Sequence, residues 1–265
     1  MERTMESDII KNIRKMEALI RKTKDSLKNT NRFTVDEEFN RYLDEIINKT
    51  LKSDKGKIKK GTKLYRARVY NEKDVYERYD GKIENLDSYT GYDAEKSFVN
   101  LKSKNPGRCN PSGIHYLYAA ADKNTCVLEV CSKIGVAVSI AEIEVQEELI
   151  IVDLASNLVI NTFSISDPEE KKNLTDFTVA LSNEMNQPFF DSDEYILCQY
   201  VCEYFKNKGI EGVKYKSTCH HGSEDRTTRN GSENFVIFNY KKCKAISSDL
   251  YLVKNIDIEL EPFKK

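Results

Sequence analysis

The residues able to do chemistry in this 265-residue chain are arginines, tyrosines, a glutamate and a serine spread over several short segments. Leu64-Tyr65-Arg66-Ala67-Arg68 reads as a strand, and period-two alternation puts Arg66 and Arg68 on one face. Gly107-Arg108-Cys109-Asn110-Pro111-Ser112-Gly113 reads as a rigid loop leading into a strand, His115-Tyr116-Leu117-Tyr118. Asp122-Lys-Asn-Thr125 then caps a helix that carries Glu129 among Cys126, Val127, Leu128 and Val130, an apolar setting for a carboxylate. Gly212–Ser217 ends another strand in a hydroxyl.

Better-known catalytic patterns are missing. The chain has no phosphate loop of the G-x-x-x-x-G-K-[ST] type, no G-x-G-x-x-G, no H-E-x-x-H and no G-x-S-x-G. Its three histidines, His115, His220 and His221, leave few candidates for a histidine-based triad. Arg108 and His115 have the spacing of the R-x(4–6)-H pair of helical HEPN ribonucleases, but Asn110-Pro111-Ser112-Gly113 would break the helix that pair needs. Cys219, His220 and His221 are adjacent and lack a second ligand pair, so no metal site is expected. Taken singly, the remaining candidates have ordinary explanations. Arg66 and Arg68 can pair with surface acids, Glu129 can reach to water, Tyr118 can be a core aromatic, and Ser217 can be a strand-end hydroxyl. Order and spacing together outweigh these explanations.

The stretches LYRAR (64–68), GRCNPSGIHYLYAAADKNTCVLEV (107–130), VSIAEIEV with LIIVDL (138–154), DEYILCQYVCEYFKNKGIEGVKYKS (193–217) and NFVIF (234–238) resemble the RES domain. That family is named for its Arg, Glu and Ser and occurs in bacterial toxins and related NAD-consuming proteins. The resemblance runs over residues 63–240, about two-thirds of the chain. Departures are Cys109 and Cys198, where other residue types are usual, and a longer insert after Ser217.

The resemblance implies an ADP-ribosyltransferase-like fold that cleaves NAD+ at the nicotinamide–ribose bond, as a phosphorylase or glycohydrolase. By motif, Arg66, Glu129 and Ser217 correspond to the family's arginine, glutamate and serine, and Arg108 and Tyr118 to two further substrate positions. Glu129 would then face the oxocarbenium character that develops on the ribose, with Arg66 and Arg108 on the pyrophosphate. Tyr118 would sit at the nicotinamide end, and Ser217 would bond a ribose, the amide or an incoming phosphate. No cofactor is implied beyond NAD+ as substrate, with inorganic phosphate as the optional co-substrate. A toxin of this kind needs a restraint such as a cognate antitoxin; a homodimer is left open. The alternatives are a protein ADP-ribosyltransferase using the same cleft, and a non-catalytic nucleotide-binding module.

The elements expected to position these residues follow from periodicity. Strands are expected at Lys63–Val69, Tyr116–Ala120, Val136–Val145, Leu149–Leu154, Gly212–Ser217 and Glu233–Tyr240. Asp167-Pro168-Glu169-Glu170 opens a helix to about Met185, and Asp193–Lys208 forms another that stops at Gly209. Strands mixed with helices, without regular βαβ alternation, predict an α+β fold, to which the resemblance adds an ADP-ribosyltransferase-like split mixed β-sheet core with surrounding helices. Two amphipathic helices precede it as a hairpin, with Ile9, Ile13, Met16, Ile20 and Leu27 on the first. The second carries Val35, Phe39, Tyr42, Leu43, Ile46 and Ile47, with a capping box at Thr34-Val-Asp-Glu37. A lysine-rich stretch, Lys52–Lys60, reads as a linker, dividing an N-terminal extension (1–60) from an NAD-cleaving domain (61–265).

Bulk composition is consistent with this. There are 42 Lys+Arg against 43 Asp+Glu, divided as +5 on residues 1–60 and −6 on the remainder. Near-neutral charge argues against a dedicated nucleic-acid binder, which carries a basic face. No apolar run approaches the ~18–20 residues of a membrane span, and the N-terminus lacks a signal-peptide core. Seven cysteines, odd in number and without a C-x-x-C pair, read as reduced thiols of a cytoplasmic protein.

Overall fold

The computed structural model describes residues 2–70, 91–131, 133–155, 167–187, 192–217 and 233–256. The expected polar insert (218–228) and its Cys219, His220 and His221 lie outside the described residues, as does the side chain of Ile9.

The chain opens with two helices, α1 (Glu2–Asn29) and α2 (Glu37–Leu51). The predicted stripes are buried, among them Met16, Ile20 and Leu27 on α1 and Phe39, Tyr42, Leu43, Ile46 and Ile47 on α2. The expected capping box is replaced by a simpler device. Asp36 is the N-cap, its side chain accepting from the Glu38 N–H at 2.9 Å while Lys22 bridges to it at 3.0 Å.

The lysine-rich stretch is more than a linker. It makes a 3-10 turn, Asp54–Gly56, and a two-residue strand, β1 (Lys57–Ile58). The remaining strands are β2 (Lys63–Val69), β3 (Leu117–Ala120), β4 (Ala137–Val145), β5 (Leu149–Asp153), β6 (Gly212–Lys216), β7 (Glu233–Ile237) and β8 (Cys243–Leu252). They form one mixed sheet in the order β1-β5-β6-β7-β3-β2-β4-β8, with β5 and β6 parallel and the other pairs antiparallel. Four more helices lie among the described residues: α3 (Ala94–Ser97), α4 (Lys123–Val130), α5 (Pro168–Asn186) and α6 (Ile196–Asn207). The α+β expectation therefore holds.

Start signals act where the sequence places them. Asp167 accepts from the Glu169 N–H at 2.9 Å with Pro168 behind it, and Asp122 accepts from the Thr125 N–H at 2.8 Å. After α6 the chain turns at Gly209, whose φ of 86° lies in the left-handed region that favours glycine.

One large hydrophobic cluster joins α1 and α2 to the sheet. Met16, Leu27, Phe39 and Tyr42 share it with Val152, Leu154, Phe177, Leu181 and Phe205. Tyr42 stacks on Phe177 with ring centroids 4.7 Å apart, and Phe39 meets the same ring edge-on at 5.4 Å. Polar ties add to this contact. Lys24 on α1 bonds Glu184 on α5 at 2.6 Å and Glu194 at 3.1 Å, while Tyr200 and Tyr204 on α6 donate to Asn40 and Asp44 on α2. Each N-terminal helix thus packs mainly on the body and little on the other.

Candidate functional site

The sheet forks in its middle. β2 pairs with β4 along seven residues, from Lys63 opposite Glu144 to Val69 opposite Val138, but with β3 only at Tyr65 opposite Ala120. Beyond that bridge the two half-sheets part, and Arg66 reaches across the opening. Its Nη1 donates at 2.7 Å to the main-chain carbonyl of Tyr118, an acceptor left without a ladder partner on that side. The Nε atom of Arg66 is closed to solvent and has no partner. Burial, with Arg68 nearby, lowers the Arg66 guanidinium pKa to about 10, and a guanidinium stays protonated at any working pH. The shift therefore expresses what it costs to keep this cation out of water.

A cavity of about 260 Å³ lies beside the fork, walled by Tyr65, Arg66, Tyr118, Glu129, Tyr215 and Asn234 among others. Glu129 comes from the last turn of α4, short because Asp122 caps one end and the chain leaves at Cys131. Its residue is solvent-exposed, yet one carboxylate oxygen is held firmly. The Ser217 hydroxyl donates to Oε1 at 2.5 Å and the Asn234 amide donates to the same atom at 2.6 Å. Oε2 has no partner among the described residues. The donors come from neighbouring antiparallel strands, with Tyr215 registered opposite Asn234 and Ser217 two residues further on. Both donors are buried, Ser217 to 1% and Asn234 to 4% exposure, so their geometry is fixed by the sheet.

Tyr118 is in the site, but its hydroxyl is engaged. It donates to Asn110 Oδ1 at 2.6 Å and accepts from the Cys109 N–H at 3.0 Å, and burial pushes the phenol well above its ordinary pKa. Asn110 in turn donates to the Ile114 carbonyl at 2.7 Å, and Gln199 of α6 donates to the carbonyls of Gly107 and Asn110. The loop predicted to be rigid is rigid for this reason. A Cβ on Gly107 would lie 2.5 Å from Asn110 Oδ1 and 2.6 Å from the Tyr118 hydroxyl, so only glycine fits there.

Arg108 is placed elsewhere. Its Nη1 donates to the main-chain carbonyls of Met185 at 2.5 Å and Gln187 at 2.7 Å, capping the C-terminus of α5, with the Tyr215 ring 5.8 Å away. It lines neither this cavity nor its neighbour. Arg66, Glu129, Ser217 and Tyr118 are thus brought together, and Arg108 braces the scaffold beneath them. Asn234 and Tyr215 were not singled out from the sequence. The signal for Asn234 was a lone amide heading the buried run Phe235-Val236-Ile237-Phe238.

Cys126 also lines the cavity, but burial pushes its thiol up to about 12, so it is no thiolate nucleophile at neutral pH. Among the described residues, no three His, Cys, Asp or Glu side chains are placed to hold a metal ion. No helix among them is long and apolar enough to cross a membrane.

The family model of the RES domain matches residues 87–258, a span that contains Glu129, Ser217 and Asn234 and begins after the strand carrying Arg66. A solved structure, the M. tuberculosis MbcT–MbcA toxin–antitoxin complex, aligns with 82% of this chain and 93% of its own at 14% identity and a TM-score of 0.41. No curated protein sequence matches.

Proposed function

Because the chain belongs to the RES domain family, we propose that it cleaves NAD+ at the nicotinamide–ribose bond and acts as a toxin by depleting that dinucleotide. The observation that carries this reading is the Glu129 carboxylate, held through Oε1 by Ser217 and Asn234 with Oε2 left for a ligand, beside the buried cation of Arg66.

Cleavage of this bond expels neutral nicotinamide and leaves positive charge on the ribose ring. A fixed carboxylate stabilises that charge more in the transition state than in the ground state, which is the condition for catalysis. Two donors on one oxygen fix the direction of the carboxylate without a proton having to move. Arg66 supplies charge for the dinucleotide's phosphates, and the Tyr65, Tyr118 and Tyr215 rings give the cavity flat walls. Water as acceptor gives ADP-ribose, nicotinamide and a proton; inorganic phosphate gives ADP-ribose 1″-phosphate and nicotinamide. An unchecked NAD-consuming enzyme is harmful to its own cell, so a cognate antitoxin belongs to the proposal.

The test is to incubate the purified chain with NAD+, with and without inorganic phosphate, and separate the products by chromatography. Nicotinamide released only with phosphate identifies a phosphorylase, and release in its absence a glycohydrolase. Label transferred to protein would move the reading to a protein ADP-ribosyltransferase. Unchanged NAD+ under every condition would refute the enzymatic reading.

A further inference from the structure

Two helices anchor the loop that fixes Tyr118, and they do so from facing ends. Arg108 reaches the carbonyls of Met185 and Gln187 at the C-terminal end of α5, at 2.5 and 2.7 Å. Gln199, in the first turn of α6, donates to the carbonyls of Gly107 and Asn110 at 2.9 and 3.1 Å. From this loop Asn110 Oδ1 and the Cys109 N–H hold the Tyr118 hydroxyl, and the Tyr118 carbonyl holds Arg66. Where the end of α5 and the start of α6 stand thus bears on two walls of the cavity.

One side chain ties those two ends together. Lys24 Nζ lies 2.6 Å from Oε1 of Glu184, the residue before Met185, and 3.1 Å from Glu194 Oε2. Glu194 belongs to the 3-10 turn Ser192–Tyr195, which runs directly into α6. Lys28, one turn further along α1, adds a longer contact to Glu194 at 3.4 Å. Lys24 and Glu184 have only 15% and 13% of their side chains exposed, so salt screens this pair little. Burial opposes the charge on Lys24, but the two carboxylates outweigh it and hold the pKa above its ordinary value. An ammonium carries three donors on a long stem, which lets it serve both carboxylates at once.

Other ties hold the same two helices from the same side. Asn12 of α1 bonds the buried Asp176 of α5 at 2.5 Å, and Asn40 and Asp44 of α2 accept from Tyr200 and Tyr204 of α6. Arg41 differs from these. It meets Glu170 at 3.5 Å on the surface, near the end of α5 opposite the loop. Lys24 also precedes residue 87, where the family match begins, so it reaches matched residues from outside that span.

We infer that Lys24 is a positioning residue for the cavity: from the N-terminal extension it fixes the ends of α5 and α6, and through them the loop 107–114, Tyr118 and Arg66. Its effect on turnover rests on the proposed NAD+ cleavage, but its effect on the loop does not, so both are measured on the full chain. Amide NMR signals report the loop, because the N–H groups of Gly107 and Ile114 are bonded within it and that of Cys109 to Tyr118. Those signals come from the folded state, so a change in overall stability alone does not move them.

In Lys24→Met, which keeps an apolar stem and loses the ammonium, the loop signals move while those of β4 stay in place. Turnover follows, with kcat/KM down by at least about tenfold, since a misplacement of about 1 Å can cost about 100-fold. Lys24→Arg, which keeps the charge, restores both readouts, and Arg41→Gln leaves both at wild type. Glu184→Gln removes the bond at the α5 end, moves the same signals, and covers the case in which Lys24→Met does not fold. Wild-type loop signals in the folded variants, or kcat/KM within about twofold of an active wild type, would overturn the inference. An equal response in Arg41→Gln would overturn it too. Loop signals that respond to Lys24 in a protein that leaves NAD+ intact would keep this link and remove the proposed activity.

Discussion

Asn234→Ala tests the carboxylate clamp at the residue least visible from the sequence. The change removes the 2.6 Å bond from the Asn234 amide to Glu129 Oε1 and leaves the 2.5 Å bond from Ser217 in place. The main-chain pairing of residue 234 with Ala120 and Tyr215 needs no side chain, so the strand persists. A hydrogen bond to a charged group contributes about 1.5–3 kcal/mol. If that energy is expressed at the stage where the ribose becomes cationic, kcat falls about 10–150-fold. KM stays close to wild type, because the lost contact orients a catalytic group and touches no remote part of the substrate. Nicotinamide release under saturating NAD+ measures kcat, and urea unfolding shows whether the variant is folded. Ser217→Ala acts on the same oxygen, so the double variant loses less than the product of the two single losses. A folded Asn234→Ala protein with kcat within about twofold of wild type would refute the reasoning, since that is far below what a charge-assisted bond contributes.

Three further outcomes are expected. Cys126→Ser keeps turnover within a few-fold, and iodoacetamide at mild pH leaves the wild type active, because burial holds that thiol protonated; rapid inactivation through Cys126 would contradict this. Arg108→Gln costs about 1.5–3 kcal/mol in urea unfolding through two charge-assisted bonds to α5 carbonyls, whereas a rise in KM without loss of stability would return Arg108 to the substrate. Lys214, paired with Asp153 at 2.9 Å and Glu233 at 3.1 Å, has its pKa opposed by burial but raised by those carboxylates. Its folded value lies above its unfolded value, so its contribution is fully present below the ordinary value of 10.5 and fades as pH rises through the folded one. The stability gap between wild type and Lys214→Met is therefore constant at neutral pH and narrows only in strong alkali; narrowing near neutrality would reverse the sign.

Elements with strong periodicity or explicit caps were legible from the sequence. The strand at Lys63–Val69 and the Asp167-Pro168 helix start are where alternation and capping place them. β1 and β8 were missed for opposite reasons. Two residues carry no period, so β1 exists only because β5 offers it an edge. β8 runs Cys243-Lys-Ala-Ile-Ser-Ser-Asp-Leu-Tyr-Leu252, with polar residues crowding its solvent face at the sheet edge, and its register comes from β4. Lys52–Lys60 has the composition of a linker, but composition does not reveal that Lys57–Ile58 pairs with β5.

In the site, Glu129 and Ser217 were legible because order and spacing carried them, although the bond between them spans 88 residues of sequence. Arg108 shows the limit of such reading. A residue type reveals its charge but not its direction, and carbonyls 77 and 79 residues away claim this one. Arg68 was placed on the face of Arg66 by alternation alone, but that its Nε is closed to solvent without a hydrogen-bond partner among the described residues is visible only in three dimensions.

The central claim is that the Glu129 carboxylate carries the cleavage. Glu129→Gln keeps the size of the side chain and loses its charge, so the most direct measurement is nicotinamide release by this variant beside the wild type, with and without phosphate. The account predicts an unchanged unfolding midpoint and turnover reduced by at least about 100-fold, the scale of removing one electrostatic contact to a developing charge. Release at the wild-type rate from a folded Glu129→Gln protein would contradict it.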